Sequence, residues 1–158
     1  MASPAPAVVT ALEAAGLDYR VLEHTAPVRS LAEAAAARGV DVVDVVKTLV
    51  VRRGEGDYLF VLVPGGRQIS WPKLRALLAV SRMSMPPAPE AFEATGFERG
   101  TITPLGSTTA WPVVADLVLA QRGEITLGSG VHEVAIAVDA KALLEATAAT
   151  VADVTDPE

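Results

Sequence analysis

Residues 41–54 read "DVVDVVKTLVVRRG", in which one lysine, Lys47, stands among six valines and a leucine. Taken as a helix, Val42, Val45, Val46, Leu49 and Val50 form one apolar stripe, with Asp44 and Lys47 paired on the polar side. Taken as a strand, Lys47 shares a face with Leu49 and Val51, and the density of β-branched residues favours this from about Val46 onward. A half-turn of helix feeding a strand that begins near Lys47 satisfies both patterns, and it is the reading adopted here. The choice matters for chemistry. On a helix surface Lys47 is one more solvated charge; at the start of a strand its amine can point into a pocket.

Working outward, "RGEGD" (53–57) followed by "YLFVLV" (58–63) predicts a hairpin, and "PGGR" (64–67) turns the chain again. Upstream, Ala5–Ala15 reads as a helix stopped by Gly16, and 18–23 as a short strand. Ser30 with Glu33 is a capping-box signature opening a helix that ends at Gly39. Downstream, Ser70 caps a helix to about Ala79 with Pro72 in its first turn. A further helix spans about Pro89–Thr95, with Gly96 as its stop. Residues 97–108 form a loop punctuated by Gly100, Pro104 and Gly106. Two strands flank Gly128-Ser129-Gly130 within 124–138, and Asp139 caps a last helix to about Thr147. Hairpins outnumber plausible parallel crossovers, so the fold class is α+β with a mixed, mostly antiparallel sheet. One compact domain over 1–158 is expected, with frayed ends at about 1–4 and 153–158.

Composition bounds the function. The chain is 51% hydrophobic but 4% aromatic, so Ala, Val and Leu must build the core. It has no cysteine, hence no disulfide, thiol nucleophile or thiolate metal site. No apolar run approaches the roughly 20 residues that span a bilayer, and the first residues lack a secretory pattern; no membrane association and a cytoplasmic location are expected. The net charge of −6 argues against broad nucleic-acid binding. Yet residues 47–89 carry seven basic side chains against two acids, a local +5 that leaves −11 elsewhere. That asymmetry suits a small phosphate footprint on an otherwise acidic protein, and suits an ordinary solvated surface equally well.

There is no phosphate-binding P-loop and no dinucleotide fingerprint, and His24 and His132 lie far apart without metal-ligand spacing. No cofactor and no metal are expected. What remains is a lysine near a strand start and glycine-punctuated loops. A lysine ammonium can hold a phosphate or polarise an ester carbonyl, and glycine loops let backbone N–H groups approach a ligand. From the residues alone this amounts to a small-ligand pocket with an anionic group.

Four segments in order, "VVKTLVV" (45–51), "LVPGGRQISWPKL" (62–74), "EATGFERGTITPLG" (93–106) and "GSG" (128–130), resemble the YbaK/ProX family of aminoacyl-tRNA deacylases. This family also supplies the editing domain of bacterial prolyl-tRNA synthetases. The resemblance runs over about residues 5–150. It implies a barrel-like mixed sheet with flanking helices, and hydrolysis of the ester that joins a wrong, small amino acid to a tRNA. Carried onto this sequence, Lys47 is the pocket lysine, and Gly100 and Pro104 belong to the loop that holds the aminoacyl group. Thr48, Thr101, Ile102, Thr103 and Gly106 are implied as substrate neighbours, as are Gly128, Ser129 and Gly130 in the glycine turn. Two departures stand out: many members carry a second glycine where Thr101 stands, and Ser129-Gly130 replaces a frequent Gly-Gly. Both bear on the preferred amino acid more than on the reaction.

The resemblance implies a metal-independent, substrate-assisted reaction, with the acceptor end of aminoacyl-tRNA as partner and an aminoacyl-tRNA synthetase as a docking partner. tRNA for proline is the expected substrate, and "KTLVV" (47–51) is closer to the cysteine-removing branch than to the alanine-removing one. A non-catalytic module that binds aminoacyl-tRNA or a nucleotide-like ligand is the alternative. A structural domain that has lost the pocket is a third.

Overall fold

The computed structural model describes residues 2–24 and 27–158. Helix α1 (Pro6–Ala14), strand β1 (Tyr19–Glu23) and helix α2 (Leu31–Arg38) come first. Ser30 Oγ accepts the Glu33 N–H at 3.1 Å, and Gly39 closes α2 in the left-handed conformation. The 41–54 stretch is a hybrid, as the sequence predicts. Val42–Asp44 make one turn of 3-10 helix, and strand β2 begins at Lys47 and runs to Gly54.

A tight turn returns the chain as β3 (Asp57–Val63), antiparallel to β2, with Lys47 opposite Val63. β3 is buried from Tyr58 to its end because both of its faces are covered. Phe60 and Leu62 point into the main core cluster with Val46 and Val50 of the preceding segment. Leu59, Val61 and Val63 point into a second cluster with Val51. Burying each such side chain is worth about 1.5–3 kcal/mol, and this alternation fixes which way every β2 residue faces.

Next come β4 (Arg67–Ile69), α3 (Trp71–Leu78) and α4 (Ala88–Thr95). After the loop that follows α4 lie β5 (Val113–Asp116) and a 3-10 turn at Leu117–Gln121. β6 (Glu124–Gly128), β7 (Val134–Asp139), α5 (Ala140–Ala146), β8 (Thr150–Ala152) and β9 (Thr155–Pro157) complete the chain. The caps at Ser70 and Asp139 form as predicted, accepting the N–H groups of Lys73 and Ala142.

The strands form sheets of order β1-β7-β6, β2-β3-β5-β8 and β4-β9. The β3–β5 and β5–β8 pairs are parallel and the other strand pairs antiparallel. This is the expected mixed, mostly antiparallel α+β fold, but among the described residues the strands do not close into one barrel. The two larger sheets instead meet at a parallel bridge between Val45 and Thr126. No helix among the described residues is long and apolar enough to cross a membrane.

The expectation of a frayed end at 153–158 is corrected. At the C-terminal end, β9 pairs with β4, and Val154 and Thr155 are fully buried. The cause is Asp116, buried at the end of β5. Its Oδ1 accepts the Val154 N–H at 3.1 Å and the Thr155 hydroxyl at 2.8 Å, and its Oδ2 accepts the Val118 N–H. A buried carboxylate is tolerated when its oxygens are filled in this way. At the other end Pro4 is buried and the Ala5 N–H donates to Ser129 O; Met1 lies outside the described residues.

The turn after β3 is a point of close approach. A Cβ on Gly65 would lie 1.9 Å from Val42 O and 3.0 Å from Val45 O, both backbone atoms that cannot swing aside. Gly65→Ala should therefore destabilise the protein by about 3 kcal/mol or more, since it overpacks the start of β2. Gly123→Ala, with nothing within 4 Å of its added Cβ, should change stability by less than about 1 kcal/mol. Thermal melts of both variants check this, and equal losses would contradict it.

Candidate functional site

Lys47 is the first residue of β2, and its side chain is 41% exposed. Its Nζ lies 3.2 Å from Glu158 Oε1, while the Glu158 N–H donates to Gly66 O. The helical pairing with Asp44 does not form. Asp44 is instead held by two bonds from Arg122, Nε to Oδ1 at 2.8 Å and NH2 to Oδ2 at 2.9 Å. Strand alternation puts Lys47 on the face of Leu49 and Val51, towards the second cluster. Thr48 therefore shares the opposite face with Val46 and Val50, towards the main core.

The other predicted residues converge elsewhere on that main-core side. Gly100 is exposed with φ +90°. The Thr101 N–H and hydroxyl both donate to Glu98 O, and Thr101 O accepts the Gly130 N–H at 2.9 Å. A Cβ on Gly128 would lie 2.6 Å from Ile102 O and 2.9 Å from Thr101 O, so only glycine lets β6 lie against this loop. Gly106 abuts the Ala7 backbone, Gly130 abuts Ala5 and the Phe97 ring, and Pro104 is half-buried between Thr103 and Leu105. Hence Gly100 to Gly106, Gly128 to Gly130 and the start of α1 form one packed unit. Lys47 is not joined to it by a hydrogen bond among the described residues. The connection runs through the backbone: Val46 N–H donates to Thr126 O at 2.8 Å, and Lys47 and Gly128 come one and two residues later.

The four candidate hydroxyls divide into two kinds. Thr101 Oγ1 is spent on its own turn, and Ser129 Oγ donates within its turn to Val131 O and Val134 O. The two positions that depart from the family's glycines thus hold backbone together. Thr48 Oγ1 and Thr103 Oγ1 are buried and have no hydrogen-bond partner among the described residues. A buried hydroxyl left in this state costs about 1–3 kcal/mol, which makes these two the groups a polar ligand would satisfy.

Neither histidine joins the unit as a general base. His24 is buried and accepts from Arg38 Nε at 3.3 Å. Burial pushes its imidazole below the ordinary value, and the Arg38 guanidinium pushes the same way against Glu133. His132 is exposed and lies 2.8 Å from Glu98 Oε2, clasping the glycine turn to the loop. Glu158, Glu98 and Arg38 were invisible to sequence reasoning, because each acts on a partner set by tertiary structure. Among the described residues no group of three or more His, Asp or Glu side chains is arranged to hold a metal ion.

With the fold and these contacts in view, comparison with known proteins places the chain. The family model for the aminoacyl-tRNA editing domain matches residues 25–146, and the chain belongs to that family. A solved structure proposed to be a trans-editing enzyme for prolyl-tRNA synthetase superposes with a TM-score of 0.87 at 31% identity, covering 98% of this chain and 99% of that one. The proline–tRNA ligase of Thermosipho melanesiensis is 35% identical over 97 residues, 61% of this chain and 17% of the ligase. That of Trichlorobacter lovleyi is 30% identical over 106 residues, 67% of this chain and 18% of the ligase. The chain thus spans less than a fifth of these curated relatives.

The unpartnered hydroxyls give a direct test. Thr48→Val and Thr103→Val keep side-chain shape while removing a buried polar group, so each should raise unfolding stability by about 1 kcal/mol. Chemical denaturation measures this. A loss of similar size would mean that the hydroxyls are already satisfied in the fold.

Proposed function

We propose that this chain is a trans-editing deacylase: it cleaves the ester between a wrong, small amino acid and the terminal ribose of tRNA for proline, in the cytoplasm. Cysteine or alanine is the amino acid removed. Membership of the editing-domain family supports the reaction class. The observation that carries the site is the pair of buried, unpartnered hydroxyls of Thr48 and Thr103 in the two segments that the sequence singles out.

In this reading the aminoacyl group enters against the Gly100–Gly106 loop and the Gly128–Gly130 turn. Thr48 and Thr103 bond its polar atoms, and Ile102 supplies apolar contact. A water, positioned by the loop backbone and the neighbouring ribose hydroxyl, adds to the ester carbonyl carbon. The carbonyl oxygen takes the negative charge, the carbon–ribose oxygen bond breaks, and the proton from water ends on that ribose oxygen. Free amino acid and uncharged tRNA result. Lys47 stabilises the negative charge of the transition state or of the adjacent phosphate. Its pair with Glu158 is half-exposed and worth no more than about 1 kcal/mol, so an anionic substrate can displace it. A synthetase that delivers the mischarged tRNA is the proposed docking partner.

The test is hydrolysis of tRNA for proline charged with cysteine, alanine, serine or proline. Wild-type protein should clear at least one small wrong amino acid and spare proline, with the same rate in a chelator. Lys47→Ala should lower kcat by about 10²–10³-fold, the size of losing one charge-stabilising donor. Turnover indifferent to Lys47→Ala removes the lysine from the mechanism. Binding of every substrate with turnover of none replaces the deacylase with a binding module.

A further inference from the structure

A second site lies at the far end of β2. The chain leaves α3 through Ala79, whose φ of +55° reverses its direction. It returns along 80–84 to β2, where Arg52 and Ser84 exchange backbone hydrogen bonds of 2.8 and 3.1 Å. The cleft between has a volume of about 540 Å³ and is lined by Arg52, Arg53, Arg75 and Arg82, with Ser81 and Ser84. No carboxylate lines it. Glu90 meets Arg52 at 3.4 Å and Asp57 meets Arg53 at 3.0 Å from outside. Arg75 and Arg82 have no carboxylate partner among the described residues. The cleft therefore keeps a net charge near +2 within a protein of net charge −6.

An arginine in the last turn of a helix can be explained by the helix dipole, which is worth about 0.3–1 kcal/mol. That accounts for Arg75, and Glu90 and Asp57 account for Arg52 and Arg53, which leaves Arg82 unexplained. Two of the four guanidinium groups around this concavity have no carboxylate among the described residues, and the excess positive charge is what an anion would neutralise. Guanidinium forks match phosphate oxygens two at a time, and the excess positive charge of residues 47–89 attracts a polyanion to this part of the surface. No aromatic residue lines the cleft, so it offers charge rather than base stacking.

We infer that this cleft binds the phosphodiester backbone of the tRNA acceptor stem. The inference rests on the deacylase reading for its choice of RNA over an acidic polypeptide. Position supports that choice: Arg53 follows Lys47 by six residues along one strand and therefore lies about 20 Å from it. At about 3.4 Å per stacked nucleotide, a strand whose terminal adenosine sits at Lys47 reaches the cleft within about six nucleotides, at the first base pairs of the stem. The arginines hold phosphates and carry no sequence preference.

The probe is a fluorescent, uncharged acceptor-stem hairpin with a single-stranded 3′ end, titrated at several ionic strengths. Arg75→Gln/Arg82→Gln should weaken binding about tenfold or more. It should also flatten the dependence of log Kd on log salt by roughly 1.4–1.8, the effect of two lost phosphate contacts. Arg82→Gln alone, at an exposed residue outside any helix, should give half that change in slope. Lys141→Gln, the same single charge change at an exposed residue of α5, should alter neither. Unchanged binding in the double variant, equal loss in Lys141→Gln, or displacement of RNA by an oligoglutamate of equal charge as readily as by RNA would each overturn the inference. Binding needs no turnover. A chain that binds the hairpin through these arginines yet hydrolyses no mischarged tRNA loses only the deacylase reading. A chain that hydrolyses mischarged tRNA with KM untouched by Arg75→Gln/Arg82→Gln loses only the cleft.

Discussion

The fold turns on the contact that Thr126 makes with the start of β2. Its carbonyl accepts the Val46 N–H, its hydroxyl donates to Asp44 O at 3.2 Å, and the same hydroxyl accepts from Arg38 at 2.9 Å. With the Asp44 carboxylate held by Arg122, the 3-10 turn cannot run on as a helix. The strand must begin at Lys47. Because strand side chains alternate, that single register decides the rest: Val46, Thr48 and Val50 face the main core, and Lys47, Leu49 and Val51 the other side. A slip of one residue would bury the lysine and expose the threonine.

β2 then works as a ruler for the whole molecule. Its first two residues supply a cation on one face and an unpartnered hydroxyl on the other. Its last residues supply Arg52 and Arg53 to a separate basic cleft. Between them the strand is valine and leucine, locked into two clusters by β3 and too rigid to bring the two ends closer. The loops around Gly100–Gly106 and Gly128–Gly130 are held by equally local means, namely close backbone contacts and the turn-spanning hydroxyls of Thr101 and Ser129. Rigid supports of this kind hold backbone dipoles in fixed directions, which is the property that electrostatic stabilisation of a developing charge requires.

Much of this was legible in the sequence wherever the physics was local. Caps at Ser30, Ser70 and Asp139 act on N–H groups three residues ahead, and glycine stops at 39 and 96 act on the turn just behind, so short patterns reveal them. The β2–β3 hairpin follows from β-branched density and a glycine turn. The short strands β4, β5, β8 and β9 escaped because three or four residues carry no readable period. What orders the C-terminal end is Asp116, 38 residues before its partner Val154. At the candidate site, the ordered segments pointed to loops that the fold packs together, but nothing local separates a threonine that serves its own turn, Thr101, from one without a partner among the described residues, Thr103. The ion pair of Lys47 spans 111 residues and was equally hidden.

The central claim is that Lys47, Thr48 and Thr103 serve one bound aminoacyl-adenosine end. A crystal structure with a non-hydrolysable aminoacyl-adenosine analogue tests it most directly. The account predicts the aminoacyl group against the Gly100–Gly106 loop, bonded to the hydroxyls of Thr48 and Thr103, with the Lys47 amine released from Glu158 and turned to the ligand. An analogue seated away from that loop, with both hydroxyls still unpartnered and the Lys47–Glu158 pair intact, would contradict it.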